Sequence, residues 1–165
     1  GLFDMVSAAE IQRMINMRNL VILPFVPEHM EQIQYSPQDM QMFAEIPDIE
    51  DRLQHVAQAK TAWTIFYQGK PALVMGLEYK WATNYEAWLV PGRLSIEHGS
   101  HLSRGARRFF DKIGARLGLR RMQIVVCVDR EKAVQWAKFL KFEREGLMRC
   151  YGPEGKDYYM YARLY

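Results

Sequence analysis

Glu78 and Glu86 fall in β-rich segments, where a strand can hold a carboxylate still beside a reacting amine, the setting that general-base chemistry needs. The plainer reading is a pair of solvent-facing strand ends, since neither has a partner at a readable spacing. His98-x-x-His101 brings two imidazoles together without a third ligand at helical or hairpin spacing, and so reads as a polar loop rather than a metal centre. Arg104, Arg108, Lys112, Arg116 and Arg120 recur every four residues, which on a helix makes a slowly drifting basic stripe. Such a stripe suits an anionic partner, whether phosphates, nucleic acid or an acidic protein surface, or simply a solvated face. No aromatics interleave with it to stack bases, which argues against sequence-specific nucleic-acid binding.

The elements that position these groups follow from periodicity. Residues 4–17 place Met5, Ala8, Ile11, Gln12 and Ile15 at spacings of three and four behind Asp4 as N-cap, predicting a short amphipathic helix. Residues 19–26 read as a strand, and Pro24 within it predicts an edge position because proline has no N–H to donate. Pro27, Pro37 and Pro47 each open a polar segment suited to a short helix. From Thr61 the helical period gives way to β-rich runs. Residues 62–67 and 72–79 form a hairpin about Gln68-Gly69-Lys70-Pro71, and residues 85–90 a third strand. A polar loop runs to Ser103, followed by a helix with Leu102, Ala106, Phe109, Ile113 and Leu117 on one face and Gly118 as its C′ glycine. The apolar run 122–128 predicts a strand buried on both faces. Asp129 caps a helix carrying Ala133, Val134, Trp136, Ala137 and Leu140, and strands 145–151 and 158–165 close the chain around Gly152-Pro153-Glu154-Gly155.

With 165 residues, 49% apolar and 25% charged, the chain can bury one sizeable core, which excludes disorder, fibres and a disulfide scaffold. Cys127 and Cys150 lie in apolar runs and read as buried free thiols. No apolar run approaches the roughly 18 to 20 residues of a membrane span. The start has no basic and apolar leader pattern, so a cytoplasmic setting is expected. The net charge of +3 hides an acidic front, with four basic and nine acidic residues in 1–60, and a basic remainder, with eighteen and ten. Six of the ten methionines lie in the first 42 residues among glutamines, a composition for an adaptable contact surface or for gap-filling.

The C-terminal third carries a resemblance. VVCVDREKAVQWAKFLKFEREGLMRCYGPEGKDYYMYARLY is similar to the ending of the GNAT N-acetyltransferase superfamily, with Ala133, Phe142 and Glu145-Gly146 where that pattern wants them. The element order extends the likeness over residues 19–165. It implies an α/β fold with a mixed, mostly antiparallel central sheet flanked by helices, preceded by an N-terminal helical extension over residues 1–18. It also implies acetyl-CoA in an opening between two central strands, with Leu89 aligning the thioester. Ser103, Arg104, Gly105 and Ala106 would present donors to the pyrophosphate, as a helix start can, and Glu86 would be the base.

The departures from the family pattern are specific. Residues 96–106 lack its glycine-rich signature in register. Ala137 stands where a tyrosine often protonates the leaving thiolate, Arg130 where an asparagine is usual, and Lys141 where a glycine precedes Phe142. These losses resemble, more loosely, the GNAT-like proteins of tailed bacteriophages, some of which are internal virion or assembly proteins. The leading expectation is therefore an inactive or weakly active GNAT-fold interaction protein of the virion or host cytoplasm, bound to other phage structural proteins. Its contacts would be Met5, Ile11 and Ile15 of the first helix and Arg108, Lys112 and Arg116 of the basic one. The alternative is an acetyl-CoA-dependent N-acetyltransferase acting on an amine of a protein or small molecule. An acyl-CoA sensor is a third class, without a feature of its own. An enzyme requires an open slot between strands 85–90 and 122–128, whereas an interaction module tolerates that slot being filled by Trp88, Trp136 or the first helix.

Overall fold

The computed structural model describes residues 6–165, so Asp4 and Met5 lie outside it. Seven strands form one sheet: β1 (Leu20–Pro24), β2 (Ala62–Tyr67), β3 (Lys70–Trp81), β4 (Asn84–Pro91), β5 (Arg121–Cys127), β6 (Glu143–Met148) and β7 (Tyr158–Leu164). Their order is β1-β2-β3-β4-β5-β7-β6. Only β4 and β5 run parallel; every other neighbouring pair is antiparallel. The hairpin turn between β2 and β3 is tighter than expected. Only Gln68 and Gly69 turn, both with positive φ, the pattern of a two-residue primed turn.

One face of the sheet carries α1 (Ala8–Ile15), α6 (Gly99–Leu117) and α7 (Glu131–Phe139) over the main core. Phe109, Phe110 and Ile113 of α6 pack there on Leu77, Met122 and Tyr161, each side chain contributing about 1.5 to 3 kcal/mol by burial. Gly114 lets the Tyr165 ring lie against α6, since a Cβ there would sit 2.1 Å from the ring. The other face carries α2 (His29–Gln32), α3 (Pro37–Glu45) and α4 (Ile49–Ala59), whose apolar cluster lies over β2 to β4. For this reason β5 is not buried on both faces as expected. Its exposure alternates, with Gln123 and Val125 half-buried on that face.

Helix α1 starts at Ser7, whose hydroxyl accepts from the Glu10 amide at 3.1 Å. Its stripe points inward: Ile11 is 0% and Ile15 3% exposed, in the same core as the rest of the chain. Gln12 reaches across to the outer edge of β1. There its Nε2 donates to the Leu20 carbonyl at 2.6 Å and its Oε1 accepts from the Ile22 amide at 2.8 Å. Pro24 lies two residues further along β1, which is an edge strand as expected.

Other boundaries differ from expectation. The polar loop to Ser103 is instead α5 (Arg93–Glu97) running into α6, which begins at Gly99. Arg130 rather than Asp129 caps α7, and Asp129 pairs with Lys156 at 3.7 Å. Lys141 has φ 70°, a left-handed conformation that favours glycine and that a lysine adopts at some cost. Cys127 is buried and Cys150 is exposed, in a turn with φ 54°; both are free.

Beneath α2, the His29 ring sits between Phe25 and Phe66. Its Nδ1 lies 2.6 Å from the Thr64 hydroxyl and accepts from the Val26 amide at 3.4 Å. Burial holds its pKa below the ordinary 6.5, against a small opposing effect of Glu28. The native state therefore resists a proton that the unfolded chain accepts. His29 contributes stability that is complete above pH 6.5 and is lost as pH falls below it toward the native value. Urea midpoints of the wild type are expected to drop over that window, and those of His29→Gln to drop less; parallel curves would exclude His29 as the cause.

Candidate functional site

The parallel pair β4 and β5 is joined at only three positions, Asn84 with Arg121, Tyr85 with Met122 and Glu86 with Gln123. Beyond Glu86 the two strands part, leaving a V whose apex is the Glu86–Gln123 pair. Side chains alternate about this apex. Tyr85, Ala87 and Leu89 face α6 and α7, whereas Glu86 and Trp88 face the other side, where Trp88 packs in the cluster beneath α2, α3 and α4.

On the helical side the V is filled by side chains. Leu89, Leu102, Gly105, Ala106, Phe109 and Trp136 are among the residues lining an apolar cavity of about 20 Å³, room for a single water. The Trp136 indole N–H donates to the Ser103 hydroxyl at 2.8 Å, tying α7 to α6 across this space. Trp136 thus lies in the slot and not away from it. The lining is apolar, and one half-exposed indole closes it. Ala137, next to Trp136 on α7, is buried, and its methyl can donate nothing.

The residues expected to hold pyrophosphate are placed differently. Ser103, Arg104, Gly105 and Ala106 lie one turn or more inside α6, where backbone N–H groups bond back along the helix. Gly105 faces Ile15 and Leu20, and a Cβ there would stand 3.1 Å from both, so this glycine serves the packing of α1. The helix opens at Gly99, and the amides of His101 and Leu102 already donate to the His98 carbonyl. The His98 ring lies tilted over Tyr67 and the His101 ring meets it edge-on, at centroid distances of 4.4 and 5.8 Å, while His101 also meets Asn19 and Arg104.

The contacts expected for a partner are largely spent within the chain. Arg108 donates to the carbonyls of Ile15 and Asn16, and Lys112 to that of Met14, all at the carbonyl-rich end of α1, where cations are favoured. Arg116 pairs with Glu10 at 2.6 Å, and this partner holds the Glu10 carboxyl below its usual range. Ile11 and Ile15, expected as partner-binding anchors, are core residues; Met5 lies outside the described residues.

The face opposite α6 and α7 is better furnished than the sequence suggested. Glu86 is half-buried and accepts from Gln123 Nε2 at 2.8 Å, while Glu78, directly opposite on β3, is exposed and pairs with Lys80. Like charges at facing positions oppose folding, and Lys80 offsets part of that cost. Further along β5, α3 meets the strand ends. Asp39, its buried residue at 3% exposure, binds Arg130 at 2.6 Å, and Glu45 accepts from the Glu154 amide. Between them is a cavity of about 30 Å³ bounded by Met42, Cys127, Arg130 and Tyr158. Burial raises the Tyr158 pKa, so its hydroxyl stays protonated. Sequence reading passed over Gln123, although a lone amide in the run Met122 to Cys127 was a visible signal.

No helix among the described residues is long and apolar enough to cross a membrane. No protein-family model matches the chain, and no curated protein matches it in sequence. Solved structures do. A GNAT-family acetyltransferase from Bacillus anthracis superposes with a TM-score of 0.70 at 17% identity, covering 89% of this chain and 95% of that one. The microcin C7 self-immunity acetyltransferase MccE, in complex with acetyl-CoA and AMP, gives 0.68 at 14% identity over 94% and 95%. RimL, a ribosomal L7/L12 alpha-N-protein acetyltransferase, gives 0.65 at 18% over 90% and 92%. At these identities the likeness is one of architecture, and the chain has the GNAT acetyltransferase fold.

Proposed function

We propose that this chain is an acetyl-CoA-dependent N-acetyltransferase acting on a primary amine of a protein or small molecule. The observation that carries the reading is the parting of β4 from β5 immediately after Glu86, with that carboxylate held half-buried at the apex on the face opposite α6 and α7. Acetyl-CoA, when bound, supplies the acetyl group. Leu89, Leu102 and Ala106 offer the apolar walls for it, and Arg104 an exposed cation near the start of α6. On the opposite face an amine approaches over Glu86, which takes its proton directly or through water. With Ala137 unable to return a proton, that step falls to solvent, which suffices for a thiolate with a pKa near 8.5.

The neighbours above lend no support to the virion or assembly role expected from the sequence, and two of its apolar anchors, Ile11 and Ile15, are core residues. A protein or anionic partner would meet Arg13, Arg18 and Arg104, which remain exposed. A second reading, a GNAT-shaped module without catalysis, is favoured by one observation, the Trp136–Ser103 bond across the slot.

Calorimetric titration with acetyl-CoA separates the two. If a closed slot must open first, the apparent affinity is reduced by the fraction of open molecules. Trp136→Ala is expected to bind at least about tenfold tighter than the wild type. Absence of binding by both proteins would leave the non-catalytic module.

A further inference from the structure

Glu86 is the end of a chain of directed hydrogen bonds. Glu145 on β6 receives two from Arg121, at 2.9 and 2.7 Å. The remaining edge of that guanidinium, Nε, donates to Gln123 Oε1 at 3.0 Å. Gln123 Nε2 then donates to Glu86 Oε1 at 2.8 Å. An amide side chain can turn end over end with little change in shape, so its direction is fixed by its neighbours. Arginine only donates and an ionised carboxylate only accepts. Turned the other way, Gln123 would set N–H against N–H on one side and oxygen against oxygen on the other. Arg121 therefore compels Gln123 to present its donor to Glu86. Among the described residues Glu86 Oε2 receives no hydrogen bond, so one oxygen is pinned while the other is left to act.

We infer that Gln123, oriented by Arg121 on Glu145, is a positioning residue that aims Glu86 Oε2 at the acceptor amine. The inference rests on the transferase reading above. Gln123→Met keeps the length of the side chain and removes the donor, so Glu86 is free to rotate. Loss of near-attack geometry of this kind costs roughly ten- to a hundredfold in rate.

The test follows free thiol release from acetyl-CoA with a serine-initiated hexapeptide, lysine and spermidine as amine probes. Gln123→Met is expected to lower kcat roughly ten- to a hundredfold with the KM for acetyl-CoA and the melting temperature unchanged. A merely structural role would not produce that split. Arg121→Lys, which keeps the charge facing Glu145 and loses the forked geometry, should lower kcat less. Combined with Gln123→Met it should add nothing further, because both changes break one chain. If Gln123→Met keeps kcat within about twofold while Glu86→Gln is inactive, the base stands and the positioning role is overturned. If Glu86→Gln turns over like the wild type, or the wild type releases no thiol with any probe, the base reading falls and this inference with it.

Discussion

Glu86→Gln is expected to lower kcat for acetyl transfer by roughly two to four orders of magnitude, the range over which a positioned general base contributes. The substitution is close to isosteric. The new amide can still accept from Gln123 through its oxygen, so the apex of the V and the pairing of β4 with β3 and β5 keep their partners. What disappears is the ability to take a proton from an incoming ammonium or amine. Affinity for acetyl-CoA should be unchanged, because the slot lined by Leu89 and Trp136 lies on the other side of the sheet. Steady-state kinetics with calorimetry of the same preparations check both halves. An unaltered kcat would assign the proton to water alone.

The largest effect on stability is expected at Phe109. Its ring is fully buried on α6, edge-on to Phe110 at 5.0 Å, in the core shared by α1, α6, α7 and the sheet. Phe109→Ala removes that payload and leaves a void contiguous with the cavity under Trp136. A cost of about 3 to 5 kcal/mol follows from comparable core truncations. For a domain of this size, each kcal/mol lowers the melting temperature by about 2 to 4 °C, so the loss should be roughly 6 to 20 °C. Thermal unfolding by circular dichroism measures it. A drop under about 3 °C would mean that α6 settles into the space and that the core is softer than its packing implies.

The architecture was legible because its signals are local and repeated. The β-rich runs 62–67 and 85–90, the face Leu102-Phe109-Ile113 and the run at β5 each encode their own element. Pro24 announced the edge of the sheet, and the ending around Ala133 and Phe142 announced the fold. The site was less legible because it depends on pairs distant in sequence. Gln123 meets Glu86 from 37 residues away, Arg108 reaches the end of α1 from 93, and Arg130 finds Asp39 from 91. A stripe of cations looks the same in sequence whether it faces solvent or caps another helix. Likewise the slot-filling role of Trp136 depends on where α6 and α7 meet, which no spacing within α7 records.

Gln12 gives the first helix a meaning beyond packing. A sheet ends safely only if its last strand offers no row of open donors and acceptors to a passing chain. Here a single side-chain amide imitates the neighbouring strand that β1 lacks, and Pro24 withholds a donor farther along. Detaching α1 would therefore do more than thin the core: it would uncover a template for strand addition, turning a finished sheet into one that can grow.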